Sequence, residues 1–589
     1  MIGKIIGIIF SRGLWNRRFC VALAGSCLTI LAFDVLWCRA TANFYGLTFL
    51  KAYLFSFLLA MLMALPALMR RRWVFGAVLV VADLLAQVNL MYARTYMLPI
   101  PLSSYLLGGN VLEFRDSIIH SLRWADIVFP AITILTLVLI GRRRHPFSLR
   151  AFGAYCLTFG AGAFLCFFAG RADSSSMLNP LAQIRLFKAA DCHSRALIPV
   201  IYTLPLSLLS DALETSRPVT ELEIEEARAY LAEHRAVTDL IQLDNIASPR
   251  RNLVLIMVES LEAWPLGASV EGNEITPELN RLIADSASHA WVAPAVLSQV
   301  GPGHSIDGQL LTTAGLRPTM DKVYSMWYSD RTYPNIAKEM RRDRDVKSYF
   351  LSSDYAITWN QGGIVRQFGF DEMRMHDAWV ASEYFDVSHN PSDGSLLRQV
   401  AEAMRCGEIW PEGETAFVEV FTYSSHTPFI IPEEHRGIHL LMDYPQLLGE
   451  YITAINYTDS ALGEFIRYVR SRSDADETMI AIVGDHEGLP WRNEIISAMP
   501  EAAALVDSVG HVPLIVLNSP ITGRCEREIG QVDVYPTLLY LAGLYRDADF
   551  RGVGYPAFAD IELDAAADAR QQSVSSTIIR ADLLKQIIP

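Results

Sequence analysis

The sequence predicts an α-helical membrane domain of five spans, followed by an α/β domain built on a mostly parallel central sheet. Three observations carry this expectation. The 589 residues are 51% hydrophobic and only 19% charged, with a mean hydropathy of +0.23. The long apolar runs are gathered into roughly the first 170 residues, which suits a membrane part. From Asn252 onward, short and nearly continuous apolar runs alternate with helical patterns, as expected of strands covered on both faces of a sheet.

Five segments approach the roughly 20 apolar residues that a helix needs to cross hydrocarbon. They are Phe19–Trp37, Leu47–Met69, Trp73–Tyr92, Ala125–Ile140 and Ala151–Gly170, the fourth being the shortest. Lys4, Arg12, Arg17 and Arg18 precede the first span. Arg70, Arg71 and Arg72 separate the second from the third, and Arg142, Arg143, Arg144 and Arg150 the fourth from the fifth. Clusters of positive charge mark cytoplasmic loops, and these alternate as five spans require. The expected location is the cytoplasmic (inner) membrane, with the amino terminus inside and everything after Gly170 outside. Asp34 and Asp83 lie within spans and are given no role.

The expected domains are residues 1–170 as the transmembrane part, 171–250 as an interfacial and helical connector, and 251–589 as the extracytoplasmic domain. In the connector, Ala196–Leu209 is apolar but interrupted by Pro199 and Pro205, which suits a segment at the membrane surface. Leu222, Ile224, Ala227, Tyr230 and Leu231 describe an amphipathic helix capped by Thr220. The net charge is −14, and no basic stripe or basic helix is present, so nucleic acid is excluded as a partner. Of eight cysteines, Cys192, Cys406 and Cys525 are scattered outside the apolar spans without CxxC spacing, and any disulfide among them is left open.

Asn252–Val258, Val346–Leu351, Ala416–Phe421, Met479–Val483 and Pro513–Leu517 read as buried strands. Thr276-Pro277 reads as a helix start, with a capping hydroxyl followed by proline at the first helical position. Ligands of open α/β sheets bind at the carboxyl ends of the strands. The first strand ends in Glu259-Ser260, the third in a loop presenting His426, and the fourth in Gly484-Asp485-His486-Glu487-Gly488. Glu259, His426, Asp485 and His486 are thus expected on one edge, where hard carboxylates and an imidazole suit a divalent metal. The glycine-rich loop running from Ser298 into an apolar helical stretch at Gln309–Thr313 holds Ser305. From this loop alone Ser305 reads as a helix N-cap, in a field that also suits attack on phosphate.

Taken together and in order, the motifs NLVLIMVESLEAW, ITPELNRL, GPGHSIDGQLL, YSSHTPF, VGDHEG and VDVYPTLL resemble the lipoteichoic acid synthase and phosphoglycerol transferase family, a branch of the alkaline phosphatase and sulfatase superfamily. The resemblance covers roughly Asn252–Leu544 and implies an alkaline-phosphatase-like, or sulfatase-like, catalytic domain. It implies that Glu259, Asp485 and His486 hold one metal ion together with Ser305: manganese first, with magnesium or zinc compatible with the same donors. Ser305 would also be the nucleophile, where the family usually has threonine. The sulfatase C/S-x-P-x-R motif is absent, since Ser305-Ile306-Asp307-Gly308-Gln309 lacks both proline and arginine.

Trp359-Asn360-Gln361 resembles a Trp-Asn-Arg element that binds the head group in that family, with Gln361 in place of the arginine. Arg366, five residues on, is the candidate substitute, and His426 resembles the histidine that contacts the transferred phosphate. The function so implied is transfer of a phospholipid head group, phosphoglycerol first, to a cell-envelope glycan or lipid. Phosphoethanolamine transfer, a membrane-anchored phosphodiesterase and a non-catalytic envelope scaffold are the alternatives.

Overall fold

The computed structural model describes residues 16–41, 44–68, 72–96, 99–100, 105, 122–141, 148–171, 199–215, 217–241, 246, 250–342, 344–356, 358–385, 389–445, 447–489, 492–499 and 505–586. They divide into two compact units, one ending at Arg217 and one beginning at Pro218. Lys4, Arg12, Arg70, Arg71, Arg142, Arg143, Arg144 and Cys192 fall outside the described residues. Cys406 and Cys525 are free thiols, one exposed and one buried.

The first unit is helical. Its main helices are α1 (Arg17–Ala40), α2 (Leu50–Ala64), α3 (Arg72–Tyr96), α4 (Val128–Ile140), α5 (Leu149–Arg171) and α6 (Leu204–Thr215). Among the described residues three stretches are long and apolar enough to cross a membrane: Arg17–Ala40, Trp73–Arg94 and Leu149–Cys166. Ala52–Leu68 and Trp124–Ile140 are shorter. Helices therefore occupy all five expected places, but three rather than five meet the spanning criterion. Val200 and Leu204 pack with Phe33 and Trp37 of α1, so this part of the expected connector joins the helical unit. Among the described residues a buried ion pair links α3 to the turn before α4: Arg94 Nη1 and Nη2 reach Asp126 Oδ2 and Oδ1 at 2.7 and 2.5 Å. Asp83 Oδ2 accepts a hydrogen bond from Thr133 Oγ1 at 2.8 Å.

The second unit opens with α7 (Glu221–Leu240), capped as expected by Thr220, whose hydroxyl accepts from the Glu223 amide. It then alternates strands and helices. The strands are β1 (Asn252–Val258), β2 (Ser269–Val270), β3 (Asn273–Glu274), β4 (Trp291–Leu297), β5 (Lys347–Ser352), β6 (Glu372–Arg374), β7 (Ala416–Phe421), β8 (Thr478–Gly484), β9 (His511–Leu517), β10 (Gly523–Arg524) and β11 (Ile529–Gly530). Nine of these form one sheet in the order β10-β4-β9-β8-β1-β7-β5-β6, with β11 also on β4, while β2 and β3 make a separate hairpin. The central run β8-β1-β7-β5-β6 is parallel, and β9 is antiparallel to both of its neighbours.

Strand side chains alternate between two cores. Leu253, Leu255, Met257 and Val483 face the layer of α9 (Ser305–Ala314), α14 (Val534–Leu541) and α15 (Ala565–Arg580). Val254, Ile256, Val258 and Ile482 face α8 (Pro277–Ala284), α11 (Asp393–Arg405) and α12 (Leu448–Val469). The shorter α10 (Gln361–Phe368) and α13 (Arg492–Ala498) lie in the connections after β5 and β8. Both faces are covered, which is why β1, β7 and β8 are buried along their whole length.

Two local readings are corrected here. Thr276 does not cap α8: its hydroxyl donates to the Pro265 carbonyl, and Asp459 of α12 takes the Glu278 and Leu279 amides instead. A carboxylate from a neighbouring helix serves the positive end of α8 better than the local hydroxyl. The helix α9 begins at Ser305 itself, four residues before the expected apolar stretch.

Candidate active site

The register of the parallel strands brings the site together. Met257 is level with both Val483 and Phe421, and Val258 with Gly484. Glu259 therefore leaves the sheet beside Asp485 on one side and Thr422 on the other. Its amide donates to Thr422 Oγ1 at 3.0 Å, and the Ser260 amide donates to Asp485 Oδ1 at 2.8 Å.

Ser305 reaches the same place from the layer above. It is the first residue of α9, and it follows His304, whose φ of 45° lies in the left-handed region. A side chain there is strained and must be held by its surroundings. Asp307 does part of this, since its Oδ2 accepts the Gly301 and Gly303 amides at 2.9 and 2.8 Å and folds the glycine-rich loop over the helix start. Ser305 Oγ then donates to Glu259 Oε2 at 3.1 Å and lies 3.2 Å from His486 Nε2. His486 Nδ1 sits 2.7 Å from the Glu487 carbonyl, which can only accept, so Nδ1 carries the hydrogen and Nε2 faces the site.

Glu259, Asp485 and His486 are all buried, and one ligand atom of each lies within 4.8 Å of the others. Burial opposes the charge on Glu259, but His486, His426 and the Ser260 and Ser305 hydroxyls hold it ionised below the ordinary glutamate range. Burial, and then the Glu259 charge, push Asp485 up to about 7. Burial opposes the His486 charge as well, yet Asp485 and Glu259 raise that imidazole to about 9. The cluster is thus short of positive charge. Asp485 Oδ2, in a residue 1% exposed, has no hydrogen-bond partner among the described residues. A buried carboxylate oxygen left this way, beside a second carboxylate and an oriented imidazole, fits a hard divalent cation.

A cavity opens beside this cluster. Glu259, Ser305, Trp359, Gln361 and His426 line it together with Ser352, Asp354, Thr358, Asn390 and Tyr423. His426 Nδ1 is 2.7 Å from the Thr427 carbonyl and so carries its hydrogen there, and the ring stacks on Tyr423. Trp359 and Asn360 both have positive φ, 50° and 55°. Ser325 holds this kink, its Oγ donating to the Trp359 carbonyl at 2.5 Å and its own carbonyl accepting from Asn360 Nδ2 at 2.8 Å. Arg366 does not reach the cavity. It lies on the exposed side of α10 and is absent from the lining, and among the described residues no arginine or lysine lines the cavity. Asp354 was missed in the sequence although it follows β5, where the strand-end argument would have found it. Asn390 lies in an irregular stretch that carries no such signal.

Residues 251–544 match the sulfatase family, and this part of the chain is a sulfatase domain of the alkaline phosphatase superfamily. Its curated relatives carry a more particular name. The chain is 26% identical over 312 residues to lipoteichoic acid synthase-like YvgJ of Bacillus subtilis (strain 168), covering 51% of the chain and 49% of that protein. It is 21% identical over 475 residues to lipoteichoic acid synthase of Staphylococcus saprophyticus, covering 77% of the chain and 70% of that protein. The chain thus spans about half the length of the Bacillus relative. In fold it is like the integral membrane protein lipooligosaccharide phosphoethanolamine transferase A (EptA) of Neisseria meningitidis, with a TM-score of 0.54 at 14% identity over 89% of the chain and 95% of that structure.

Proposed function

We propose that this chain moves the phosphate-linked head group of a membrane phospholipid onto a hydroxyl of a cell-envelope glycan or lipid, with Ser305 as the covalent nucleophile. The observation that carries this reading is the position of Ser305 Oγ. It stands at a helix amino terminus, 3.1 Å from Glu259 Oε2 and 3.2 Å from His486 Nε2, and it lines a cavity shared with His426 and Trp359. The names of the relatives support it.

Glu259, Asp485, His486 and Ser305 would hold one divalent cation, manganese first and magnesium or zinc next. When bound, such an ion favours the serine alkoxide and offsets charge on the phosphodiester. Ser305 Oγ attacks phosphorus, the bond from phosphorus to the diacylglycerol oxygen breaks, and that oxygen takes up a proton. His426, anchored through Nδ1, leaves Nε2 as the atom that can deliver it. The acceptor hydroxyl then attacks the same phosphorus, returning a proton to His426 Nε2, and Oγ leaves. Trp359 would flank the head group, and Gln361 would meet it with an uncharged amide.

Phosphoglycerol is the head group that the sequence resemblance favours. One observation favours phosphoethanolamine as a second reading: among the described residues the lining contains the Asp354 carboxylate and no arginine or lysine. Residues 1–170 are read as five spans of the inner membrane with the amino terminus inside, 171–250 as the connector, and 251–589 as the catalytic domain outside. A site tethered to the bilayer meets its lipid in two dimensions.

Ser305→Ala tests the reading. Head-group release from phospholipid vesicles should vanish while the thermal unfolding midpoint stays within a few degrees. Mass spectrometry of wild-type enzyme quenched with lipid should find the adduct on the Ser305 peptide, and an adduct elsewhere sinks the assignment. Release to water without an added acceptor would identify a phosphodiesterase.

A further inference from the structure

Two fully buried carboxylates outside the cavity, Glu262 and Asp393, are each bonded to a loop that carries site residues. Glu262 Oε1 accepts the Gly488 and Leu489 amides at 3.0 and 2.8 Å, directly after Asp485-His486-Glu487. Asp393 Oδ1 accepts the Tyr423 and Ser424 amides at 2.7 and 2.9 Å, two residues before His426. In both cases the strand has just ended, at Gly484 of β8 and Phe421 of β7, so the sheet ladder no longer supplies partners. Two consecutive amides turned inward form a small anion-binding concavity, and leaving them buried and unpaired costs free energy. A single carboxylate oxygen satisfies both and fixes the peptide planes of the loop.

The two carboxylates are balanced differently. Glu262 also meets Arg492 Nη2 at 2.6 Å and Trp264 Nε1 at 2.8 Å, so its charge is paired. Asp393 is satisfied by hydroxyl and amide donors, with Thr458 Oγ1 on Oδ2 at 2.7 Å, and burial raises its pKa above the ordinary aspartate value.

We propose that Glu262 and Asp393 are positioning residues with separate duties. Glu262 sets the Asp485-His486 ligand pair, and Asp393 sets the His426 and Tyr423 wall of the cavity. The assignment rests on reading the cluster as a metal and phosphate centre. A loop that is not held must be ordered by what binds to it, and the ordering is subtracted from affinity. Loss of the Glu262 bonds therefore falls on the metal, and loss of the Asp393 bonds falls on the lipid substrate.

The test uses the full chain in detergent, stripped of metal, with Mn2+ titration calorimetry and, separately, kcat and KM for head-group release. Glu262→Gln turns its amide hydrogens against Trp264 Nε1, which can only donate, and leaves the Arg492 charge without its carboxylate, so the side chain no longer holds the loop amides in place. Mn2+ binding should weaken about tenfold or more, as for lost partners of metal ligands, with KM within about twofold. Glu262→Asp, which keeps the charge and shortens the reach, is the second variant should the first not fold, and the same direction is expected. Asp393→Ala should lower kcat/KM about tenfold with Mn2+ affinity within about twofold, and Asp393→Asn, which retains the accepting oxygen, should restore it. Wild-type chain that binds no Mn2+ would overturn the metal reading and this assignment together. Wild-type binding matched by both Glu262 variants overturns the assignment alone, as does an Asp393→Ala chain that loses metal affinity as Glu262→Gln does.

Discussion

Gly308 rests directly on the backbone of Asp485: a Cβ at Gly308 would stand 2.3 Å from the Asp485 carbonyl oxygen. The helix that begins at Ser305 is thereby seated against the strand end that supplies the candidate ligands. Gly308→Ala forces the two apart, because the obstacle is main chain and cannot rotate away. It should lower turnover by about tenfold or more and destabilise by about 1–3 kcal/mol, the usual cost of overpacking. Kinetics and thermal melts on the same preparation check this, and a variant with unchanged turnover would refute it.

Asp485→Asn removes charge while sparing geometry. Asp485 Oδ1, which accepts from the Ser260 and His486 amides, has a counterpart in asparagine, so the strand ends stay paired. Metal content by mass spectrometry should fall well below one ion per chain, with affinity reduced at least about tenfold. Full occupancy with normal activity would mean that the cluster is not the metal site.

The cavity makes a contrast among three side chains. Trp359→Ala should lower kcat/KM about tenfold with metal retained, since the ring lines the cavity. Arg366→Ala should change activity by less than about 0.5 kcal/mol, as for a surface residue. Gln361→Arg separates the two head groups. A gain in phosphoglycerol transfer would mark a weakened phosphoglycerol pocket, and a loss, with phosphoethanolamine transfer dominant in the wild type, would mark a pocket rebuilt for the cationic group.

Glu419 sits inside β7 with no exposure, accepting from Gln309 Nε2 at 2.7 Å and Thr313 Oγ1 at 3.0 Å, and burial pushes its carboxyl up to about 8. The folded protein thus holds the proton more tightly than the unfolded chain, whose glutamate titrates at about 4.3. Its contribution is most favourable at low pH, is lost progressively as pH rises from there to about 8, and changes no further above that. Glu419→Gln stays neutral throughout. The stability difference between wild type and Glu419→Gln should shift against the wild type by about 1.4 kcal/mol per pH unit through that window. A difference independent of pH would refute the burial argument.

Much of the fold is legible because apolar runs buried on both sides leave a plain signal. The expected strand at Asn252–Val258 matches β1, and Ala416–Phe421 matches β7. By contrast β4 was not expected. Its WVAPAVL is broken by Pro294, and its register with β9 shifts between Ala293 and Val296. The strand-end rule gathers Glu259, Asp485, His486 and His426 because it depends only on where each strand stops. It could not place Arg366, whose exposure is decided by the turn of a short helix after a left-handed Trp359-Asn360 kink. Nor could it find Glu262 or Asp393, whose partners are main-chain amides that any sequence would supply.

The hydrogen bond from the Ser260 amide to Asp485 spans 225 residues of chain. Closing so long a loop is slow compared with forming any local helix or turn. Glu259 and Ser305 are both synthesised long before the strand that brings Asp485 and His486 exists. During that interval the growing polypeptide carries the proposed nucleophile without two of its proposed metal ligands. On the function proposed above, the chain would be inert toward lipid until β8 has paired with β1 and completed the candidate site.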